Sequence, residues 1–337
     1  MGWILLTVFA GINCGSFGLP MKFTTKWKWE HVWGMWSFWT LLVIPWVVAF
    51  ISVPHLFGVY SQAGFKAIFW VFLCGFLWGF SALTFGKGME YMGLALGYSL
   101  MLGLIIVVGS LLPLFTGNPE NILKPSGLAI IAGVAVIILG VIFNAWSALV
   151  KEKDLAAAAT SQSSERKPLA KGLILCLITG LIAPALNYAF ITGGELMTVA
   201  ESLGANKTFA SNSIWAIALG GAFIVNATYC GYLVNKGGSW TKFNEQGTGK
   251  YFLYTLIMGI LWGGSIEYYG MATANLGELG PSIGWAVFQA TAIFAANILG
   301  ILTGEWKGVS KKALMLMAVG LGVLLAGICI VGYSNTL

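Results

Sequence analysis

Charged residues are scarce in this chain of 337 amino acids. Only 9% of its residues are Asp, Glu, Lys or Arg, whereas 58% are hydrophobic. A water-soluble globule of this length needs far more polar surface, so the composition excludes that class and predicts an integral protein of the lipid bilayer. The few basic residues lie in short connections between apolar segments, and this arrangement gives no indication of nucleic-acid binding.

Aspartate and histidine are also rare, and the cysteines are isolated. Asp154 is the only aspartate. An intramembrane enzyme acting on lipid-linked sugars or prenyl diphosphates usually needs clustered carboxylates for a metal, so we expect no enzyme, no catalytic residue, no metal and no other cofactor. The five cysteines have neither paired nor ligand-like spacing. His31 and His55 flank the second apolar segment and are expected at the surface.

Long apolar segments, in contrast, are abundant, and ten of them can each form a membrane-spanning helix of about 20 residues. Because Met1 to Leu19 has no basic N-terminal region and runs directly into Lys22, we expect it to be the first span and not a removed signal. The predicted spans lie near residues 2–20, 32–53, 67–86, 93–115, 126–147, 172–193, 209–234, 251–273, 281–303 and 312–333.

The basic residues alternate between the connections. Fifteen of the 18 follow odd-numbered predicted helices, and only Lys66, Lys124 and Lys207 follow even-numbered ones. Cytoplasmic loops of membrane proteins carry an excess of Lys and Arg. The odd connections are therefore predicted to be cytoplasmic and both termini periplasmic, in a multi-pass protein of the bacterial inner membrane.

An internal repeat relates the third and eighth predicted helices. Residues 73–93, LCGFLWGFSALTFGKGMEYMG, recur without a gap at 257–277 as IMGILWGGSIEYYGMATANLG, with four glycines, a leucine, a tryptophan and a serine in common. The copies are five spans apart in chain order, an odd offset, so the second must cross the bilayer in the opposite direction. This predicts an all-α membrane protein whose ten transmembrane helices form two inverted five-helix repeats, 1–147 and 171–337, joined by a cytoplasmic linker at 148–170. Such inverted repeats are typical of secondary transporters.

Glu267 is the first candidate functional residue. It occupies the position of Leu83 in the other copy, and it shares one helix face with Gly259, Gly263 and Gly270. A carboxylate inside a span is costly and usually faces the bundle interior or a wet cavity. We predict that Glu267 binds and releases a proton; the alternative is that it extends to the membrane surface or pairs with a cation.

Aromatic residues surround this position in both copies: Trp78, Trp262, Tyr268 and Tyr269. Aromatic faces stack on sugar rings, and phenol or indole hydrogens can bond hydroxyl groups, which suits a polyhydroxylated ligand. Because the chain has 15 tryptophans, some of them are expected to form interfacial belts instead.

Several amides within the spans can supply neutral donors and acceptors for sugar hydroxyls. Asn187 follows Pro184, whose missing N–H can open backbone carbonyls toward a ligand, and Asn13 and Gln289 lie in the first and ninth helices. Bonding between helices is the alternative for each amide. It applies also to Asn226 and Asn297.

Four motifs resemble those of the bacterial L-rhamnose/proton symporter family, a part of the drug/metabolite transporter superfamily. They are PMKFTTKWKWEHVW at 20–33, IPW at 44–46, VPH at 53–55 and LWGFSALTFGKGMEYMGLALG at 77–97. The resemblance covers the whole chain. It implies a ten-helix pair of inverted repeats and proton-driven sugar uptake across the inner membrane.

We therefore expect a secondary active transporter that couples entry of a sugar, L-rhamnose or a related deoxyhexose or hexose, to protons. A facilitator or exporter of small metabolites of the same superfamily is the alternative, and the absence of a charged ring disfavours a channel. The sequence leaves open the sugar, the choice between proton and sodium, and the oligomeric state.

Overall fold

A computed structural model describes residues 2–92, 94–117, 119–158 and 169–337. The regular elements in these ranges are all helical. Gly93 of the first repeat copy and residues 159–168 of the predicted linker lie outside the described residues. The α-helices of the described part are α1 (Gly2–Ser16), α2 (Trp29–Ser37), α3 (Ile44–Ser52), α4 (Leu56–Met92), α5 (Leu94–Gly117), α6 (Pro125–Ala158), α7 (Leu169–Ile182), α8 (Ala185–Thr192), α9 (Gly194–Ser202), α10 (Asn212–Lys236), α11 (Gly249–Ala274), α12 (Gly280–Leu302) and α13 (Lys311–Tyr333).

Eight helical segments of the described chain are long and apolar enough to cross a membrane. The chain is thus a multi-pass membrane protein. The two other predicted spans, 93–115 and 251–273, correspond to α5 and α11, which are helical but are not among the eight, so the number ten stays a prediction. The eight segments are Gly2–Phe23, Trp29–Ser52, Leu56–Phe85, Pro125–Leu155, Ala170–Ser202, Asn212–Lys236, Gly280–Leu302 and Lys311–Thr336.

The second predicted helix contains a π-helical segment, Phe38–Val43, between α2 and α3. Pro45 follows this segment closely and has no N–H to donate to the carbonyl of Leu41, four residues earlier. The wider turn accommodates this loss, and the N–H of Ile44 bonds back to the carbonyl of Trp39. Such π segments are often found at functional sites.

The sixth predicted helix, 172–193, is not continuous. It is interrupted at residues 183 and 184 between α7 and α8. Pro184 cannot donate a hydrogen bond to the carbonyl of Gly180, and its ring disfavours helical continuation. Discontinuous helices of this kind often build the binding sites of transporters.

The fifth helix is longer than predicted, because α6 continues to Ala158 and makes residues 148–158 of the predicted linker helical. The sequence there is rich in Lys, Glu, Leu and Ala, which favour helices. Asp154 accepts a hydrogen bond from the N–H of Ser310 at 2.9 Å, which ties the extension to the residue before α13.

The chain forms two compact units, and each takes segments from both halves of the sequence. The first unit comprises residues 1–80 and 185–277, and the second comprises 81–184 and 278–337. These units differ from the predicted halves 1–147 and 171–337, but a repeat concerns duplication and direction of crossing, so the predicted division stays a prediction.

Helices of the first unit pack closely at glycines. A Cβ at Gly75 of α4 would overlap the backbone of Ala218 in α10, and one at Gly79 would lie 3.0 Å from the Cα of Ala222. A Cβ at Gly259 of α11 would lie 2.8 Å from the Cβ of Trp39. Small residues thus let α4 approach α10 and let α11 approach the π segment.

The second unit is organised around α6 and α13, which run antiparallel. Contacts between the two helices occur in reversed order along the chain. Gly133 lies against Val331, Gly140 lies against Leu324, and Ser147 donates to the carbonyl of Ala313 at 2.6 Å. Within the same unit, Trp285 of α12 donates to the carbonyl of Ile105 in α5 at 3.0 Å.

His31 is buried, so the expectation that it lies at the surface is wrong. Its Nε2 is 2.9 Å from the carbonyl oxygen of Ser239, and the nearby Trp27 donates to the carbonyl of Lys242 at 2.9 Å. Both bonds tie the start of α2 to the connection between α10 and α11 within the first unit. His55 is exposed, as expected.

Candidate functional site

Glu267 lies in α11 of the first unit with only 3% of its surface exposed. Neither of its carboxylate oxygens has a hydrogen-bond partner among the described residues. The alternatives of a surface position and of a partner cation therefore find no support in the described part of the chain. The carboxyl sits where an ionised form is costly unless water, a ligand or a rearrangement supplies hydrogen bonds.

The glycines of α11 explain how Glu267 becomes buried. Gly259 lies against the π segment, and a Cβ at Gly263 would lie 3.4 Å from the side chain of Ile44 in α3. Gly270, one turn beyond Glu267, lies against Ser211 and Trp215, which flank and begin α10. Without side chains at these positions, neighbouring helices approach α11 closely and exclude solvent from its face.

Two predicted site residues, Asn187 and Tyr269, are joined directly. The hydroxyl of Tyr269 donates to Oδ1 of Asn187, and both side chains are buried, with 0% and 1% of their surfaces exposed. Asn187 lies in α8, just beyond the interruption at Pro184. The first turn of α8 therefore brings this amide to Tyr269 of α11. Phe190 and Trp215 complete the aromatic surroundings of Tyr269, at centroid distances of 6.5 and 6.2 Å.

Trp78 and Trp262, which occupy equivalent positions in the two repeat copies, are in contact. Their ring centroids are 5.0 Å apart at an interplanar angle of 30°. Trp36 of α2 lies edge-on to Trp262 at 5.7 Å and continues the aromatic surface toward Trp33 at 4.4 Å. Adjacent indoles of this kind can offer a face for a sugar ring.

The other predicted residues are placed differently. Asn13 donates to the carbonyl of Phe9 in its own helix α1 at 2.9 Å, and the ring of Tyr268 lies 5.3 Å from that of Phe9. Tyr268 therefore belongs to the contact between α1 and α11, whereas the Asn13 amide bonds within its own helix. Gln289 is half-buried in α12 of the second unit, whereas the residues above belong to the first.

Comparison with known proteins identifies the family. The family model for the L-rhamnose-proton symport protein matches residues 1–336. The chain belongs to this family. Among its relatives, an L-rhamnose-proton symporter of Yersinia pestis (strain Pestoides F) is 25% identical over 336 residues, which cover 98% of this chain and 96% of that protein. An L-rhamnose-proton symporter of Pectobacterium atrosepticum is 26% identical over 340 residues, with coverages of 98% and 97%.

The symporter family explains why the described residues offer so little catalytic chemistry. They contain no group of three or more His, Cys, Asp or Glu side chains that could hold a metal ion. The polar side chains buried in the described part of the chain instead carry amides, hydroxyls, indoles, one imidazole and one carboxyl. Such groups can bind a neutral polyol and exchange a proton, which are the two tasks of sugar–proton symport.

Some residues near these side chains were missed by sequence reasoning. Trp33 donates to Oδ1 of Asn226 at 3.0 Å, so this amide bonds between helices. Ser211 and Trp215 are fully buried beside Gly270, and neither the Oγ nor the Nε1 has a partner among the described residues. The available signal was their spacing of four, which puts both on one face of the helix that begins at residue 212.

Proposed function

We propose that this chain is a secondary active transporter that carries a sugar, L-rhamnose or a related deoxyhexose or hexose, into the cell across the bacterial inner membrane together with a proton. Membership of the symporter family over its whole length supports the reaction. The observation that carries the residue assignment is the buried carboxyl of Glu267, which lacks a hydrogen-bond partner in the described part of the chain.

The proposed architecture is ten transmembrane helices in two inverted five-helix repeats. Its support comes from equivalent glycines that make equivalent contacts. Gly75 and Gly79 of the third helix approach the seventh helix, and Gly259 and Gly263, their counterparts in the eighth helix, approach the second. An inverted repeat relates helix two to helix seven and helix three to helix eight, so both contacts follow from one symmetry.

The antiparallel packing of α6 and α13 supports the same architecture. These helices are the fifth and tenth predicted spans, which the repeat makes equivalent. Two equivalent helices of opposite direction must run antiparallel where they meet, as the reversed order of contacts between Gly133, Gly140, Leu324 and Val331 requires.

Glu267 is the proposed proton-coupling residue. Protonation from the periplasmic side neutralises the carboxyl and removes the cost of burying a charge, which permits the carrier to close over its cargo. Release of the sugar and the proton toward the cytoplasm then completes one cycle of alternating access.

Sugar binding is assigned to the polar and aromatic residues of the predicted site. Trp78 and Trp262 supply faces for stacking, and the linked pair of Asn187 and Tyr269 supplies hydrogen-bonding groups. Further polar contacts are assigned to Asn13 of α1 and Tyr268 of α11, and the role predicted for Gln289 of α12 stays a prediction from the sequence.

The test is uptake by the purified protein in sealed lipid vesicles. With an imposed inward proton gradient, L-rhamnose should accumulate above its external concentration, and a pH dye in the lumen should report sugar-dependent acidification. Glu267→Gln should reduce accumulation to the equilibrium level, because the amide cannot exchange a proton, while exchange of external for internal sugar continues.

Glu195→Gln is the matched control, because Glu195 is an exposed glutamate at the start of α9. It should accumulate sugar as the wild type does. Unimpaired accumulation by Glu267→Gln would eliminate the coupling role of this residue, and sugar entry without acidification would indicate a facilitator.

A further inference from the structure

Two buried hydrogen-bond donors lie beside Gly270 without an acceptor. Ser211 and Trp215 are both 0% exposed, and neither the hydroxyl nor the indole N–H has a partner among the described residues. Buried polar groups of native proteins are almost always hydrogen-bonded, so two neighbouring exceptions need a physical explanation. Both lie on one face of the start of α10, since they are four residues apart.

Gly270 provides the room for these donors. A Cβ at this position would overlap the indole nitrogen of Trp215 and would lie 2.8 Å from Oγ of Ser211. The donors therefore occupy the space that a side chain at position 270 would fill. Any larger residue at 270 would displace them.

Glu267 is within reach of this space. Residues three apart on a helix are neighbours, with Cβ atoms about 5–6 Å apart. The point that a Cβ of Gly270 would occupy is therefore about that far from the Cβ of Glu267, a distance that a glutamate side chain and one hydrogen bond can bridge by a change of rotamer. In this structure the carboxyl does not make that bond.

We propose that Ser211 and Trp215 are the hydrogen-bond donors that bind the ionised Glu267 carboxylate. Loss of the proton moves the carboxylate toward Gly270, where it accepts a hydrogen bond from each. The inference rests on the proposed coupling role of Glu267 and extends it to two positioning residues. In the protonated state of Glu267 the two donors stay without an acceptor. In the ionised state two charge-assisted hydrogen bonds stabilise the buried charge long enough for the proton to leave.

The chemistry of the donors favours a proton over a metal cation as the coupled ion. An indole N–H can only donate a hydrogen bond, so it suits a carboxylate and would repel sodium. Ser211 is also free for this role, because its side chain makes no capping bond at the start of α10.

The other titratable groups near this turn are already engaged. Tyr60 of α4, which lies within electrostatic range of Glu267, donates to the carbonyl of Ser213 at 3.1 Å. Tyr269 of α11 donates to Asn187, and the thiol of Cys14 in α1 lies near the side chain of Ser265. Among the described residues, no ion pair involves Glu267.

The test separates proton release from sugar binding. Ser211→Ala and Trp215→Phe remove one donor each and keep most of the packing. Loss of a hydrogen bond to a charged group should slow proton-driven accumulation about tenfold. Exchange of labelled external sugar for sugar inside loaded vesicles needs no deprotonation. Its rate should remain within twofold of the wild-type rate. Ser211→Thr, which keeps the hydroxyl, should restore accumulation.

Ser213→Ala is the control, because the Ser213 hydroxyl is equally buried at the start of α10 but already donates to the carbonyl of Ala210 at 2.7 Å. It should transport as the wild type does. Infrared difference spectra between low and high pH give a second readout. Carboxylate bands that disappear in Glu267→Gln should shift in Ser211→Ala and Trp215→Phe, and they should not shift in Ser213→Ala.

The outcomes distinguish failure of the donor role of Ser211 and Trp215 from failure of the coupling role of Glu267. If Glu267→Gln abolishes accumulation while Ser211→Ala and Trp215→Phe accumulate sugar normally and leave the carboxylate bands in place, the donor role is wrong and the coupling role stands. If both donor variants lose exchange together with accumulation, the residues serve packing only and the proposal is overturned. If Glu267→Gln accumulates sugar normally, the coupling role itself fails.

Discussion

At the scale of single residues, most of the buried polar atoms without partners in the described part of the chain lie in the first unit. They include the carboxyl of Glu267, the indole nitrogen of Trp215 and the hydroxyls of Thr40, Ser211 and Thr273. A static protein would lose stability through such atoms, since each gave up its bond to water without a replacement. A carrier needs them, because it makes different hydrogen bonds in its empty, loaded and ionised states.

Trp262 provides a prediction at this scale. Trp262→Ala should raise the sugar concentration for half-maximal uptake several-fold, because aromatic contacts contribute about 0.5–1.5 kcal/mol beyond burial of area. The maximal rate should change less, since the proton-coupling residue remains. Initial uptake rates over a range of L-rhamnose concentrations measure both quantities.

Trp70→Ala is the control for that experiment, because Trp70 is 47% exposed on α4. Its loss should not alter the half-saturating concentration. Equal effects of the two substitutions would mean that Trp262 contributes to folding and not to the sugar site.

Individual site residues could be predicted from the sequence more readily than their partners. Glu267 was conspicuous because a carboxylate within an apolar repeat is costly. Asn187 and Tyr269 were both predicted, but their mutual hydrogen bond depends on how α8 meets α11, which no local pattern specifies. Ser211 was missed because a serine in the first turn of a predicted span has the composition of an ordinary helix start.

At the scale of helices, hydropathy predicted most positions because a span needs about 20 apolar residues. The interruption between α7 and α8 and the π segment before α3 were not predicted as such. Both occur at prolines, Pro184 and Pro45, whose missing N–H leaves a choice between a kink, a break and a wider turn. Packing against neighbouring helices decides that choice.

Glycine positions in α11 provide a prediction at the scale of elements. Gly259→Ala should destabilise the protein by about 1–3 kcal/mol, because its Cβ would lie 2.8 Å from the Cβ of Trp39 and force a core shift. Gly264→Ala should be neutral or stabilising by up to about 1 kcal/mol, because its Cβ would have only the side chain of Tyr268 within 4 Å, at 3.7 Å.

Thermal unfolding of the detergent-purified variants compares these two glycines on one helix. The midpoint temperature should fall for Gly259→Ala and should stay or rise for Gly264→Ala. A similar fall for both would show that helix flexibility, and not the close approach at the π segment, is what the glycines provide.

At the scale of the whole molecule, each compact unit draws on both halves of the sequence. The first unit joins residues 1–80 to 185–277, so the two repeat copies contribute their Trp78 and Trp262 to one unit. Neither half of the sequence alone could form this contact, so the proposed sugar site needs both copies.

The inverted direction of the two copies can be tested with one pair of equivalent residues. Lys66 and Lys250 precede the two copies at the same distance, and both are exposed lysines. In a variant whose five native cysteines are replaced, a single Lys66→Cys substitution should react with a membrane-impermeant maleimide from the periplasmic side. Lys250→Cys should react only when the cytoplasmic face is opened, because the predicted positive-inside topology places it there. Labelling of both positions from the same side would mean that the copies cross the bilayer in the same direction, and the proposed alternating-access cycle would then lack its symmetry.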